Sequence, residues 1–291
     1  HTLLRIHTAH NGKKNHPFLD KAFNYAAVPS TSNPFLYPIY GMTGKFKGQF
    51  AILPYHRKIA EYADFLNTKA ISVVIIETEK ASKTNAINIG IKQSSFAFYV
   101  LLDADILING SDILTLVEEL TDRKLKAISP SIVFDFSQSS FWVRQYYQVA
   151  SQSYYNVDYR LSNVIALSAS GVEKIGVLPE LIADDDYIRK QFLPAEIAVS
   201  KQCEYRFVCA KTFSSLFQVL TRVERGNMQL ASYPHQVKQL ERPQGFYRLP
   251  KKSFPFFVII KLLVVIRAKL QLKLGKITQW ERDESNRKTQ E

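Results

Sequence analysis

Apolar residues in the first half of the chain form short blocks that alternate with blocks of helical period. Strand-like runs include "FAILPY", "AISVVIIE", "FAFYVLL" and "KAISPSIVF". Between them lie segments such as "SKTNAINIGIKQ" and "GSDILTLVEELTDR", in which apolar residues recur every three or four positions. This alternation is typical of α/β proteins with a Rossmann-like, mostly parallel sheet flanked by helices. In such sheets, ligands bind beyond the carboxyl ends of the strands.

The run "FAFYVLL" ends in two carboxylates, Asp103 and Asp105. Its composition predicts a strand buried on both faces. Carboxylates at the end of such a strand carry a desolvation cost unless a partner compensates for it. A divalent cation that also takes the oxygens of a diphosphate would be one such partner, and backbone N–H groups of the next turn would be another. Because two acids with this spacing also occur by chance, a solvated acidic loop is the alternative.

A second acidic group, Asp184 to Asp186, precedes a predicted helix. Three adjacent carboxylates repel one another, which favours proton uptake by one of them and suits a general base. Acids are also favoured at helix N-termini by the dipole, so helix capping is the structural alternative. Arg222 and Arg225 in "LTRVERGN" could hold a diphosphate through bidentate hydrogen bonds, or could form a solvated basic helix face.

The chain of 291 residues is basic, with 38 Lys and Arg against 26 Asp and Glu and a net charge of +12. Such a balance suits phosphate-bearing ligands or anionic lipid, and without a nucleic-acid-binding motif we expect no nucleic acid partner. The apolar run 254–266 contains Lys261 and is shorter than the ~20 residues that a membrane span needs. It predicts either a buried helix or a helix lying on an anionic membrane surface.

The two cysteines, Cys203 and Cys209, form neither a disulfide framework nor a zinc-binding spacing. A reducing compartment is therefore expected. The first residue is His1 rather than Met, so we expect a trimmed or processed sequence that an upstream segment can precede.

Taken together, these segments resemble family 2 glycosyltransferases of the GT-A fold. "IHTAHNG" resembles the first strand and turn of that family, and "VLLDADI" its metal-binding D-x-D strand. "SKTNAINIG" resembles the G-K-x-x-A-x-N-x-G segment, with Lys83 and Asn88 matching and Ser82 in place of Gly. "ALSASGVEKIGVLPELIADDDYI" resembles the acceptor-side segment that leads into the acidic motif, and "LTRVERGN" the arginine-containing helix after it. With the tail "WERDESNR", which resembles some bacterial members, the resemblance covers most of residues 3–287.

The resemblance implies inverting transfer of a sugar from a nucleotide-sugar, with a UDP-sugar expected, to a hydroxyl of a glycan or lipid-linked acceptor. It implies Mn²⁺ or Mg²⁺ as cofactor, with Asp105 and Asp103 as metal ligands. Asp185 would be the general base and Asp184 its neighbour. The residues implied in nucleotide-sugar binding are Thr8, Ala9, Asn11, Lys83, Asn88, Asp103, Ala104, Arg222 and Arg225.

The predicted organisation is a catalytic domain over 1–235 and a basic helical extension over 236–291. Within the catalytic domain, 1–110 would bind the nucleotide-sugar and 111–235 the acceptor. The Q-x-x-R-W motif of processive family members is not met, which predicts a single-addition enzyme. The expected location is cytoplasmic, peripheral at the inner face of the plasma membrane.

One departure from the family leaves the nucleotide base and the catalytic competence of the chain open. Pro54, Tyr55 and His56 stand where the second strand of the family usually carries the acid that holds uracil. This leaves the nucleotide base open and keeps a catalytically degenerate binding or scaffold subunit as the alternative. A sugar-nucleotidyltransferase is a less favoured alternative. It would need a Gly-rich basic loop after the first strand, and "HTAHNGKKN" has one glycine.

Overall fold

The computed structural model describes residues 2–6, 48–52, 72–75, 82–94, 96–103, 106, 108–153, 156, 158, 160–231, 233 and 250–275. The strands are β1 (Thr2–Ile6), β2 (Gly48–Ile52), β3 (Ser72–Ile75), β4 (Phe98–Leu102), β5 (Ala127–Asp135), β6 (Val164–Ser168) and β7 (Ile197–Val208). The helices are α1 (Lys83–Lys92), α2 (Gly110–Asp122), α3 (Phe141–Ala150), α4 (Ala169–Ile175), α5 (Asp184–Lys190), α6 (Phe213–Ala231) and α7 (Phe254–Lys273).

The strands form one open sheet in the order β3-β2-β1-β4-β6-β5-β7. Helix α2 packs against β6, and α4 packs against β6 and β4. The centre of the sheet is apolar, as the buried-strand interpretation of "FAFYVLL" predicted, and Val100, Val164 and Ala166 are fully buried. The α/β class, with an open sheet flanked by helices, is therefore confirmed.

The strand directions differ from the mostly parallel arrangement that the sequence predicted. Among the strand pairs with a defined register, β2 and β3 are parallel. Strand β1 runs antiparallel to both β2 and β4, and β6 runs antiparallel to β4 and β5. Apolar periodicity reports that a strand is buried, but not which way it runs. The long connections before β2 and before β6 are compatible with either direction.

The chain divides into two compact units. The first comprises His1–Ser131, Leu161–Pro179 and Pro194–Tyr205, and the second comprises Ile132–Arg160, Glu180–Leu193 and Arg206–Glu291. The domain boundaries expected from the sequence, at 110 and 235, stay predictions.

Strand β7 is a single continuous strand of 12 residues. Cys203 and Tyr205 are buried while their neighbours Gln202, Glu204 and Arg206 are exposed. This alternation is what one continuous strand with a single buried face produces.

The core of the second unit is built from helices α3, α6 and α7. Val143 of α3, Leu216 of α6, and Ile260 and Val264 of α7 are all almost fully buried there. No helix in the described part of the chain is both long enough and apolar enough to cross a membrane.

Candidate functional site

Asp103 lies directly after β4, at the carboxyl end of this buried strand. Its Oδ1 lies 3.0 Å from Nζ of Lys83, and its Oδ2 accepts a hydrogen bond of 3.2 Å from the side-chain amide of Asn163. The backbone N–H of Asp103 donates to the carbonyl of Asn163 at 2.8 Å. The carboxylate is thus held in a defined orientation by a cation, an amide and its own backbone.

Lys83 reaches Asp103 because helix α1 begins at this residue. Ser82 is the N-cap, and its hydroxyl accepts a hydrogen bond from the backbone N–H of Asn85 at 3.3 Å. The side chains of Lys83 and Asp103 are 15% and 21% exposed, so water screens this ion pair only in part. Ser82 therefore caps helix α1 through its side chain, although the family pattern has Gly at this position.

Asn163 is the residue of this site that the sequence did not predict. Its φ is +64°, in the left-handed region that Asn tolerates better than most residues. Its Oδ1 accepts hydrogen bonds of 3.0 Å from the Tyr205 hydroxyl and from the Ser162 hydroxyl. These two donors fix the orientation of the amide and turn its N–H toward Asp103. The sequence signal for Asn163 was its position immediately before a strand. This position indicates a turn, but it does not indicate hydrogen bonds to distant residues.

Asn88, predicted in nucleotide-sugar binding, has a visible structural role. Its amide nitrogen donates to the carbonyl of Leu178 at 2.8 Å, and its amide oxygen accepts from the N–H of Leu178 at 2.9 Å. Both ends of the side chain therefore bind the backbone that follows α4. A contact between Asn88 and the nucleotide-sugar stays a prediction.

The three acids expected to include the general base form the first turn of α5. Asp184 is buried, and Asp185 is half-buried and accepts the N–H of Asp186 at 3.0 Å. Asp186 is paired within its own helix, at 2.8 Å from Arg189 and 3.8 Å from Lys190. The structure thus separates the triplet into one buried acid, one partly exposed acid and one acid in an intrahelical ion pair.

The segment leading into these acids is held by helix α6. A Cβ on Gly226 would lie 3.0 Å from Cγ2 of Ile182 and 3.1 Å from the backbone nitrogen of Ala183. The side chain of Gln229 accepts the N–H of Ile182 at 3.1 Å and donates to the carbonyl of Glu180 at 3.4 Å. Helix α6 therefore fixes the backbone just before Asp184 by close packing and by a side-chain amide.

The two predicted arginines of α6 differ in burial. Arg225 precedes Gly226 and is fully buried, whereas Arg222 is partly exposed. A solvated basic face, the alternative interpretation of both residues, does not describe Arg225. Burying a guanidinium carries a large desolvation cost unless hydrogen bonds or opposite charges compensate for it. The surroundings of Arg225 therefore constrain this residue more than water constrains a surface arginine. Sequence spacing could not distinguish the two.

Five of the predicted site residues lie outside the described residues, namely Thr8, Ala9, Asn11, Ala104 and Asp105. The register of β1 bears on the first three. Thr2 pairs with Leu102 and Ile6 with Phe98, so β1 ends beside the start of β4. That end is opposite the one that carries Asp103. The nucleoside-binding role of residues 8, 9 and 11 stays a prediction.

A divalent cation fits the chemistry of Asp103, because carboxylate oxygens are the ligands that Mn²⁺ and Mg²⁺ prefer. Within the described residues, no group of three or more His, Cys, Asp or Glu side chains gathers to form a complete protein-only metal site. Mg²⁺ typically binds through one or two carboxylates together with substrate phosphates and water. Asp103 and Asp105 would be the protein ligands of such a cation.

Comparisons with known proteins give weak likenesses. The family model "Lnb N-terminal periplasmic domain" matches residues 1–99, and no curated protein matches the chain. Among solved structures, the mannosyltransferase PcManGT from Pyrobaculum calidifontis, in complex with GDP-Man and Mn²⁺, is 15% identical with a TM-score of 0.44. The match covers 79% of this chain and 66% of that one, just under two thirds of its length.

Two further structures are similar at the same level. TarS 1–349 from S. aureus, in complex with UDP-GlcNAc, is 12% identical with a TM-score of 0.43, and the match covers 75% of this chain and 71% of that one. Glucosyl-3-phosphoglycerate synthase from Mycobacterium tuberculosis is 15% identical with a TM-score of 0.39, over 62% of this chain and 67% of that one. Scores this low assign no family, so the interpretation of the site depends on its own residues.

Proposed function

We propose that the chain is an inverting glycosyltransferase that moves a sugar from a nucleotide-sugar, with a UDP-sugar expected, to a hydroxyl of a glycan or lipid-linked acceptor. The observation that carries this proposal is the arrangement around Asp103. A carboxylate at the end of a buried strand is oriented by the ammonium of Lys83 and the amide of Asn163. Together with the resemblance of "SKTNAINIG" and "VLLDADI" to donor-binding segments, this arrangement favours a diphosphate ligand.

On the donor side, Asp103 and Asp105 would hold Mn²⁺ or Mg²⁺. The cation would stabilise the negative charge that develops on the leaving diphosphate. Lys83 is already within 3.0 Å of Asp103 and would lie near the same phosphates. Its positive charge would add to their stabilisation. Arg222 and Arg225 are proposed as further diphosphate or acceptor contacts.

On the acceptor side, Asp185 is the proposed general base. Its carboxylate would take the proton of the acceptor hydroxyl as that oxygen bonds to the anomeric carbon. The hydroxyl oxygen attacks the face opposite the diphosphate, so the configuration inverts. The bond between the anomeric carbon and the diphosphate oxygen breaks in the same step, and the nucleoside diphosphate leaves with the electron pair. The carboxylate of Asp186, the next residue, forms an ion pair with Arg189 of the same helix. Asp184, on the other side of Asp185 in the chain, is buried.

The test measures release of free nucleotide from UDP-, dTDP- and GDP-sugars, with Mn²⁺ and with a chelator. The variants are Asp103→Asn and Asp105→Ala, and the matched control is Asp122→Asn, which changes an exposed acid at the end of α2. We expect slow metal-dependent hydrolysis of one donor that both site variants abolish and the control retains.

Three outcomes separate the alternatives. Donor turnover that is lost in both site variants supports the transferase. If calorimetry detects donor binding but no added metal ion gives turnover, the chain would instead be a degenerate binding or scaffold subunit. Neither binding nor turnover of any donor would overturn both interpretations.

A further inference from the structure

Helix α7 has one face in the core of the second unit and one face in water. Its buried residues, Ile260, Val264, Ala268 and Gln271, recur at intervals of three or four and pack toward α3 and α6. The opposite side of the helix holds large apolar residues instead of the polar residues that a surface helix usually presents.

We call this opposite side the outer face. Phe254, Val258, Leu262, Ile266 and Leu270 recur at every fourth residue along it, and Leu262 is 60% exposed. Ile259 and Leu263 widen it. A contiguous apolar surface of this kind on a helix marks an interaction site, because single exposed apolar residues are common but stripes are not.

Cations border the outer face at both ends. Lys251 and Lys252 precede the helix, and Lys269 and Lys273 lie in its last two turns; all four are exposed. The sequence over 250–275 contains no Asp or Glu at all. Lys261 lies elsewhere on the helix and is 3.8 Å from Glu224. The outer face is therefore apolar along its length and positive at its ends.

Two aromatic residues of α3 extend the outer face at its N-terminal end. Trp142 is 46% exposed and Phe141 is 51% exposed. Their rings lie 5.1 Å and 5.6 Å from that of Phe256. The hydroxyl of Ser253 fixes this end of α7, at 2.7 Å from the side-chain oxygen of Gln145 on α3. Exposed Trp residues are enriched at membrane–water interfaces.

We propose that the outer face of α7, with Trp142 and Phe141, docks on an anionic lipid bilayer with the helix axis along the membrane plane. The apolar residues would enter the boundary between headgroups and acyl chains, and the terminal lysines would contact lipid phosphates. A second copy of the chain fits less well, because two such faces would bring positive ends together. This inference does not rest on the proposed transferase activity.

The first experiment uses the fluorescence of Trp142. The chain has two Trp residues, Trp142 and Trp280, so a Trp280→Phe variant reports on Trp142 alone. Vesicles containing 30% phosphatidylglycerol in phosphatidylcholine should shift its emission to shorter wavelength at low salt. Vesicles of phosphatidylcholine alone should not. High salt should reverse the shift, since the cationic contribution is screened.

The second experiment is vesicle co-sedimentation with matched variants. The double variant Leu262→Gln/Ile266→Gln should weaken binding at least 10-fold, while Val177→Gln, at an exposed apolar residue outside α3 and α7, should not. Lys269→Gln/Lys273→Gln should weaken binding about 5-fold per lysine at low salt. The charge-matched pair Lys92→Gln/Lys201→Gln should change it less than 2-fold.

Two results would overturn the proposal. One is the absence of both the Trp142 shift and co-sedimentation with phosphatidylglycerol vesicles. The other is a concentration-dependent dimer in analytical ultracentrifugation that Leu262→Gln/Ile266→Gln dissociates, because the outer face would then belong to a second copy of the chain. The Trp142 measurement leaves α7 unmutated, so a folding defect in the α7 variants cannot imitate the first of these results.

Discussion

Asn163 binds Asp103 twice, through its side-chain amide at 3.2 Å and through its backbone carbonyl at 2.8 Å. Both bonds depend on the left-handed backbone of Asn163, with φ at +64°. Asn163 lies immediately before β6 and thereby sets the orientation of a carboxylate at the end of β4. Asn163 is a positioning residue, and its effect on chemistry should be separable from its effect on folding.

Replacing Asn163 by Gly should lower donor turnover more than it lowers stability. Gly accepts the positive φ but lacks the amide that binds Asp103. A hydrogen bond to a charged group contributes ~1.5–3 kcal/mol, so we expect donor turnover to fall about 10- to 100-fold. Asn163→Ala should lose the same activity and in addition ~1–2 kcal/mol of stability from strain. Nucleotide release and chemical denaturation of both variants measure the two effects. Normal turnover in Asn163→Gly would contradict the positioning role.

Tyr205→Phe is the graded version of this change. It removes only the hydroxyl that donates to Oδ1 of Asn163 at 3.0 Å and keeps the buried ring. Asn163 would retain the hydrogen bond from Ser162. We therefore expect a smaller loss of donor turnover than in Asn163→Gly, within about 10-fold.

Lys83→Met should weaken donor binding while leaving folding almost unchanged. A partly exposed ion pair contributes ~1 kcal/mol or less to stability, whereas in the proposed donor complex the ammonium of Lys83 would also contact the diphosphate. We expect kcat/KM for the donor to fall about 10- to 100-fold, with the larger part in KM. Lys83→Arg should recover part of it, and Lys92→Met, at the exposed end of the same helix, should change nothing. Steady-state kinetics over a donor series checks this, and a wild-type KM in Lys83→Met would rule out a donor contact.

Gly226→Ala should impair transfer to an acceptor more than it impairs donor hydrolysis. The new methyl group would meet Ile182 at 3.0 Å and the backbone of Ala183 at 3.1 Å, which displaces the segment that leads into Asp184 and Asp185. The helix propensity gained, ~1 kcal/mol, offsets part of the overpacking cost of ~1–3 kcal/mol. Asn227→Ala, at the exposed next residue, is the control. Equal losses of transfer and hydrolysis would argue against a specific effect on the acids.

The sequence predicted the features that depend on residues close together in the chain, and it did not predict those that depend on distant residues. The strand "FAFYVLL", the helix starting at Lys83 and the helical first turn of the acids were predictable, because apolar period and capping are local. The direction of β1 was not, because the pairing of Thr2 with Leu102 joins residues 100 positions apart. The bond between Asn163 and Asp103 and the burial of Arg225 were unpredictable for the same reason.

Gly171→Ala should destabilise the first unit strongly. A Cβ at this position would lie 2.2 Å from the backbone carbonyl oxygen of Lys126, which also accepts the N–H of Ser168 at 3.1 Å. Backbone cannot move aside as a flexible side chain can, so we expect a loss at the upper end of ~1–3 kcal/mol. Glu173→Ala, at an exposed position of the same helix, should change the free energy of unfolding by less than ~0.5 kcal/mol. Denaturant midpoints measure both, and equal midpoints would contradict the close packing at Gly171.

The buried thiol of Cys203 should make the protein less stable at alkaline pH. Burial raises its pKa from an ordinary value of 9.0 to about 11. Between these two values, the unfolded chain releases the thiol proton while the folded chain retains it. The unfolded state then binds fewer protons, so this residue lowers the free energy of unfolding as the pH rises from about 9 to about 11 and has no such effect below that range.

Other groups also titrate in this range, so the informative quantity is a difference between variants. We expect the free energy of unfolding of the wild type, measured with reductant present, to fall more steeply between pH 9 and pH 11 than that of Cys203→Ala. Parallel slopes for the wild type and Cys203→Ala would show that the thiol titrates alike in both states, which would contradict its burial in β7.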